Sequence, residues 1–253
     1  TANAVRYCGA TPIFVDSDEE TFNIDVHKIE EKLTSHTKAI MPVHLYGLPA
    51  DFAPLLELSE TYGIPVIEDA AEAHGAQYHG KRVGGFGLAA SFSFFGNKVI
   101  TSGEGGMVTT DDQQMYQRMQ LLEGQAVSPQ KRYWHIDVGY NYRMTNMQAA
   151  VGLGQLENVT WHITQRERIA GLYQKHLCGL EDYVTMQKVP KGCKSVYWMN
   201  NIILKDSVKK SRDDVMREME QCSIEMRPVF YPVHLMPPYL DKRISCPAAE
   251  KLG

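Results

Sequence analysis

The sequence predicts an α/β layer fold followed by a smaller α+β unit. Two observations carry this. Up to about residue 160, short apolar runs alternate with amphipathic stretches, the pattern of strands covered by helices. Near residues 160 to 165 that alternation gives way to one long helical stretch, and shorter mixed elements follow it. The boundary is drawn there, with a large domain over 1–160 and a small one over 161–253.

The elements follow in order. Thr11-Pro-Ile-Phe-Val-Asp16 reads as a strand ending on an acidic residue. Asp25 is placed to cap a helix whose Val26, Ile29 and Leu33 share one face. Ala39 to Leu45 reads as the next strand, with Tyr46-Gly47 as its exit. A helix over Asp51–Tyr62 stops at Gly63, and Ile64-Pro-Val-Ile67 is a buried strand running into Glu68-Asp69. Strands near Ala89–Phe95 and Gly106–Thr110 precede helices over Asp112–Leu122 and Met147–Leu156. Thr164 to Leu177 is the long helix. Ser195–Leu204 and Ile224–Val229 read as strands of the small domain, with a helix near Ser211–Gln221 between them. Both ends read as cut: Thr1 to Val5 resembles the middle of a helix, and Cys246 to Gly253 stops as a helix begins.

Composition narrows the function classes. A net charge of −4 over 253 residues is no overall electrostatic footprint for nucleic acid. The five cysteines (Cys8, Cys178, Cys193, Cys222, Cys246) form no C-x-x-C pair, so they are expected to be reduced thiols, neither disulfides nor metal ligands. No apolar run is long enough for a bilayer and no signal-peptide pattern is present. The expectation is a soluble cytoplasmic chain without a metal.

The segment Phe92-Ser-Phe-Phe-Gly-Asn-Lys98, followed by Gly103-Glu-Gly-Gly-Met107, concentrates the chemistry. Lys98 directly follows a buried strand and precedes a glycine-rich turn. An amine desolvated there is shifted toward its neutral form, which condenses with an aldehyde. The bland alternative is a surface lysine in a turn. Asp69 ends an apolar strand at its carboxyl end, where open α/β sheets bind ligands. It can cap the following turn or hold the protonated nitrogen of a pyridine ring. A lysine and an acid of this kind are what a pyridoxal site needs together.

These segments resemble the DegT/DnrJ/StrS family of sugar aminotransferases. The resemblance runs through Val66-Ile-Glu-Asp69-Ala-Ala-Glu72-Ala-His-Gly75, Ser93-Phe-Phe-Gly-Asn-Lys98 and Gly103 to Met107. It continues in Val43-His-Leu-Tyr-Gly47 and in Gly139-Tyr-Asn-Tyr-Arg-Met-Thr-Asn-Met-Gln-Ala-Ala150. The opening Ala2-Asn-Ala-Val5 with Gly9 to Asp16 matches as well. The match spans the whole chain, strongest over 39–157.

The resemblance implies an aspartate-aminotransferase-like fold, with a mixed, mostly parallel sheet between helices, and pyridoxal 5'-phosphate as cofactor. Carried over position by position, it makes Lys98 the Schiff-base and proton-shuttling residue and Asp69 the partner of the ring nitrogen. Glu72, at a place often held by Gln, touches the ring hydroxyl, and Ser93 donates to the cofactor phosphate. Asn141 reaches the phosphate of a partner subunit, so a homodimer with its active site at the interface is implied. The family's phosphate-cradling turn and stacking aromatic fall upstream of Thr1. One branch replaces the lysine by histidine and dehydrates its substrate, and Lys98 argues for transamination instead. Arg132-Tyr-Trp-His135 and Gly139 to Arg143 are similar to the GDP-perosamine synthase branch, which aminates C4 of GDP-4-keto-6-deoxymannose with L-glutamate.

Weaker signals keep two readings each. His234, in Phe230-Tyr-Pro-Val-His-Leu235, lies in a stretch resembling the family's substrate-side loop. With Arg227 and Tyr231 it is a candidate substrate contact, and an internal ion pair is the alternative for Arg227. His44, His74 and His135 read as structural or surface histidines. Tyr133, Trp134, Tyr140 and Tyr142 beside Lys131, Arg132 and Arg143 suit either a stacked nucleobase or a dimer interface. Two other overall readings stay open at this point: a pyridoxal-phosphate-dependent dehydratase or lyase, and a non-catalytic dimerising remnant.

Overall fold

The computed structural model describes residues 1–253. After α1 (Ala2–Tyr7), the expected strand over 11–16 runs without a ladder, and the sole bridge nearby joins Ser17 to Ile24. Beyond the Asp25 amide donating to the Asp16 carbonyl at 2.9 Å, this stretch makes no ladder, and Pro12 could not donate to one. Asp25 does cap, its side chain accepting the amide of His27, but two 3₁₀ turns over Val26–Lys28 and Glu30–Lys32 replace the expected helix. α2 (Phe52–Tyr62) ends on Gly63 at φ 62°, the left-handed stop that glycine adopts at little steric cost.

The central sheet is built from β1 (Ile67–Asp69), β4 (Ala89–Ser93) and β5 (Gly106–Thr109), after the hairpin strands β2 (Gln77–Tyr78) and β3 (Lys81–Arg82). β1 and β4 pair in parallel and β4 and β5 antiparallel, so the sheet is mixed. The segment 39–45 lies along the other edge of β1 as two parallel bridges, Ile40 to Val66 and Val43 to Asp69, instead of a continuous strand. Pro42, which lacks an N–H, sits between them.

α3 (Gln113–Glu123) starts at Asp112, which accepts the Met115 amide. α4 (Asn146–Glu157) starts at a Thr145–Gln148 capping box. α5 (Val159–Leu177) begins earlier than its sequence pattern suggested. Beyond it come β6 (Val184–Met186), β7 (Cys193–Lys194), β8 (Ile202–Leu204), α6 (Arg212–Gln221) and α7 (Pro247–Leu252). The strand expected at 224–229 is absent. Ile224 is exposed, and Pro228 removes a ladder donor. β7 pairs with β2, so the segment after α5 is stitched to the first half of the chain.

One apolar core joins these parts. Phe52 stacks on Phe86 at 4.2 Å, and Leu55, Val66, Ala70 and Ala73 are fully or almost fully buried beside Val196 and Trp198. Phe52, Leu55, Val66 and Val196 each contribute roughly 1.5–3 kcal/mol by leaving water. Glu68 is fully buried within this core. Its carboxylate accepts the amides of Gly84, Phe86 and Gly87 at 2.6, 2.7 and 2.8 Å and faces His44 Nε2 at 3.3 Å. These bonds hold its pKa below the usual range although burial pushes the other way. They tie the loop after β3 under the sheet, beside the carboxyl end of β1. No helix is long and apolar enough to cross a membrane.

Candidate active site

Because β1 and β4 run parallel, with Asp69 opposite Ser91, their carboxyl ends open on the same edge. Asp69 is the last residue of β1. One carboxylate oxygen accepts the Ala71 amide at 3.1 Å and so caps the turn, while the other accepts the Thr1 hydroxyl at 2.5 Å. The two readings of Asp69 are therefore compatible: one oxygen shapes the chain and the other receives a donor. Ser93 is the last residue of β4. Its hydroxyl oxygen accepts the Phe95 amide at 3.3 Å, leaving the hydroxyl hydrogen unspent.

From Ser93 the chain enters a turn closed by the Lys98 amide bonding to the Phe95 carbonyl at 3.0 Å. Lys98 points inward, its side chain only 12% exposed, so it is not a surface lysine. Its Nζ stands 3.8 Å from a Glu72 carboxylate oxygen and 4.0 Å from the centre of the Trp198 ring. Trp198 also donates its indole N–H to the Asn97 carbonyl at 2.8 Å. Sequence reasoning placed residue 198 in a small-domain strand and missed this role, since nothing local marks a contact a hundred residues away.

Glu72 is held by the Tyr46 amide, which donates to its second oxygen at 2.7 Å. Tyr46 achieves this at φ 58°, a left-handed conformation that is uncommon for an aromatic residue and is retained where surrounding contacts over-determine it. Its ring stacks on Phe230 at 5.2 Å, and its phenol oxygen accepts the Phe230 amide. Gly47 follows at φ 95°, where a Cβ would lie 2.8 Å from Val196 and 3.0 Å from the Trp198 amide nitrogen. The Val43–Gly47 segment thus needs this glycine to bring Tyr46, Glu72 and Trp198 together.

Burial dominates the electrostatics. It pushes the Glu72 carboxyl up to about 7, with Tyr46 and Lys98 pulling against it. It pulls the Lys98 amine down, opposed by Glu72 and Asp69. His74 is 6% exposed and lies between the rings of Phe92 and Phe94 at 5.4 and 5.6 Å. Burial, then the charge of Lys98, holds its imidazole down at about 4. The Ser93 main chain comes near, yet neither ring nitrogen has a partner of hydrogen-bonding geometry. The arrangement supplies a half-buried amine, an acid that titrates near neutrality, a carboxylate oxygen that takes a hydroxyl donor and a hydroxyl with an unspent hydrogen at one sheet edge. That combination suits amine and proton transfer.

The remaining predicted residues lie in other settings. Asn141 is exposed and bridges Gly124 before α4. His234 is 2% exposed and bonds Glu250 of α7 at 2.9 Å. Arg227 pairs with Glu225 on the surface, and Tyr231 is exposed with its phenol oxygen accepting from Arg212. In the aromatic segment Lys131 lies over Trp134 at 3.8 Å, and Tyr140 stacks on Tyr142 at 4.9 Å. A cavity of about 300 Å³ lined by Asp18, His27, Asp51, Tyr78 and Cys193 contains none of the Lys98 group. No three His, Cys, Asp or Glu are placed to hold a metal.

Comparison with known proteins gives a consistent result. Residues 1–252 match the model of the DegT/DnrJ/EryC1/StrS aminotransferase family. The GDP-perosamine synthase of Caulobacter vibrioides is 52% identical over 239 residues, covering 94% of this chain and 64% of that protein. The GDP-perosamine synthase of Escherichia coli O157:H7 is 48% identical over 253 residues, covering 100% of this chain and 68% of that protein. The crystal structure of DesV from S. venezuelae superposes with a TM-score of 0.90 at 33% identity, over 99% of this chain and 67% of that one. The chain therefore spans about two thirds of the length of these relatives.

Proposed function

The chain belongs to the DegT/DnrJ/EryC1/StrS aminotransferase family, and from that premise we propose that it is a pyridoxal-phosphate-dependent aminotransferase. In this reading it moves the amino group of L-glutamate to a nucleotide-linked 4-keto-6-deoxy sugar. The observation that carries it is the convergence of Lys98, Glu72 and Asp69 on the carboxyl edge of the parallel β1–β4 pair. For the sugar, we propose GDP-4-keto-6-deoxymannose with GDP-perosamine as product, supported by the identity to the two GDP-perosamine synthases. Five free cysteines support a cytoplasmic location.

The residues fit the cofactor. Asp69 has a carboxylate oxygen that already takes a hydroxyl donor, as it would take the N–H of a pyridine ring. The unspent Ser93 hydroxyl hydrogen suits a phosphate oxygen. Lys98 is biased by burial toward the neutral amine that an aldehyde requires. When bound, pyridoxal phosphate supplies that aldehyde and a ring that draws electrons from the carbon bearing the amine.

The chain's own residues would do the rest. Asp69 keeps a proton on the ring nitrogen. Lys98 Nζ would take a proton from one carbon and return it to another. Glu72 orients a ring hydroxyl and, titrating near neutrality, can hold a proton beside Nζ. Buried Trp198, its ring centre 4.0 Å from the amine, limits water there. Arg227 and Tyr231 are the exposed candidates for substrate contact. His234, engaged with Glu250, would shape their loop from within. We further propose a homodimer in which Asn141 of each copy reaches the cofactor phosphate of the other, supported by the exposed apolar face around α4.

The test begins with pyridoxal phosphate added to the purified protein and its visible absorbance recorded. Borohydride reduction and peptide mass then locate the attachment. The reading requires a label on Lys98, then release of 2-oxoglutarate and an aminated GDP-sugar when L-glutamate and GDP-4-keto-6-deoxymannose are supplied. A protein that takes no label at Lys98 is not this enzyme. A labelled protein that aminates a different keto-sugar would overturn the substrate alone.

A further inference from the structure

Trp198 reaches the lysine turn from beyond α5 and touches it twice. Its ring centre lies 4.0 Å from Lys98 Nζ, and its indole N–H bonds the carbonyl of Asn97, the residue just before Lys98, at 2.8 Å. A tryptophan that merely filled the core would need neither a cation over its face nor a donor aimed at that one carbonyl. The residue is itself fixed on both sides. Its amide donates to the Tyr46 carbonyl at 3.0 Å, and its carbonyl accepts from Arg166 of α5 at 2.9 Å. It is 5% exposed, and Tyr46 and Phe230 flank its ring at 6.3 Å each. Neither the ring nor the N–H has freedom to point elsewhere.

We propose that Trp198 is a positioning residue for the Lys98 amine, its indole face stabilising the ammonium and its N–H fixing the turn that carries the lysine. This rests on Lys98 being the reactive amine of the proposed function. The logic is one of complementary contacts. Glu72 stabilises the ammonium only while it is ionised, and it titrates near neutrality. The indole face does not titrate, so it stabilises the cation whichever form Glu72 takes. Burial opposes both. The Lys98 amine would thus keep one partner whose hold on it does not change with pH.

Competitive labelling tests this without added cofactor, so loss of cofactor binding would leave the readout intact. Trace acetic anhydride is applied across pH 6 to 11 to the parent, Trp198→Phe and Trp198→Leu. Acetylation of Lys98 is read by peptide mass and normalised to the exposed Lys188. The midpoint for Lys98 should fall in the order parent, Phe, Leu, by about one pH unit or about 1.4 kcal/mol for Leu, because a desolvated cation–π contact is lost. A midpoint that stays fixed or rises in Trp198→Leu overturns the proposal, since a packing residue would only admit water and raise it. Should the Trp198 variants fail to fold, Lys98→Met leaves the indole in place. Emission of the buried tryptophan, isolated by acrylamide quenching of the half-exposed Trp134 and Trp161, should then lose its dependence on pH between 7 and 11. An unchanged pH dependence in Lys98→Met would equally overturn it.

Discussion

Glu72 and His74, two residues apart on the turn after β1, are both driven by burial toward their neutral forms, one upward in pKa to about 7 and the other downward to about 4. Between their usual values of 4.5 and 6.5 they act on stability with opposite signs. Folded Glu72 keeps a proton that the unfolded chain has released, so its contribution falls as pH rises through the window up to about 7. Folded His74 lacks a proton that the unfolded chain has taken up, so its contribution is lost as pH falls from 6.5 towards 4. The parent should therefore show little slope from this pair between pH 4.5 and 6.5. Glu72→Gln should uncover a rise of about 3 kcal/mol from pH 4 to 6.5, and His74→Leu a fall of similar size from pH 4.5 to 7. Urea midpoints across this range read both, and a flat profile in Glu72→Gln would refute the pairing.

Lys98 and Asp69 should separate in their effects on turnover. Lys98→Ala removes both the attachment point and the proton carrier, and kcat should fall by at least ~1000-fold. Asp69→Asn keeps a turn cap but cannot hold the ring-nitrogen proton as a counter-charge, and a loss of about 100-fold is expected. Single-turnover absorbance with L-glutamate alone checks each. A Lys98→Ala protein within tenfold of the parent would remove Lys98 from the chemistry.

Glu68 should matter for folding far more than for turnover. Glu68→Ala leaves the amides of Gly84, Phe86 and Gly87 without their buried acceptor. Each orphaned donor costs about 1–3 kcal/mol, and partial relaxation brings the sum to roughly 4 kcal/mol. Chemical denaturation gives the value, and a loss under 1 kcal/mol would mean that water replaces the carboxylate.

The lysine group was legible in the sequence to the extent that it is local. Asp69 and Ser93 end strands, and Lys98 sits in a turn directly after one, so strand ends and glycines located them. Trp198 could not be read because its role depends on a contact made across about a hundred residues by the packing of α5 and Tyr46. The strands expected at 11–16 and 224–229 failed for a physical reason visible in retrospect. Their apolar content suited a strand, but Pro12 and Pro228 cannot donate to a ladder. Pro42 had the same effect on 39–45 and reduced a strand in the right place to two bridges.

The face around α4 gives the last prediction. α4 is apolar along most of its length yet buries no residue, and a helix of that composition is normally covered. Met147 and Val151, one turn apart, are 81% and 53% exposed, and Tyr133, Trp134 and Tyr142, in the segment that leads into α4, are exposed as well. Patches of this kind with aromatic and basic residues mark protein interfaces. If a second copy covers it, the parent sediments at twice the 28.6 kDa of one chain, and Met147→Glu with Val151→Glu gives a monomer of unchanged circular dichroism. That monomer should also bind pyridoxal phosphate at least tenfold more weakly, because Asn141 no longer meets a phosphate. A double variant that stays dimeric would move the interface elsewhere, and a monomer with parental affinity would separate Asn141 from the cofactor site.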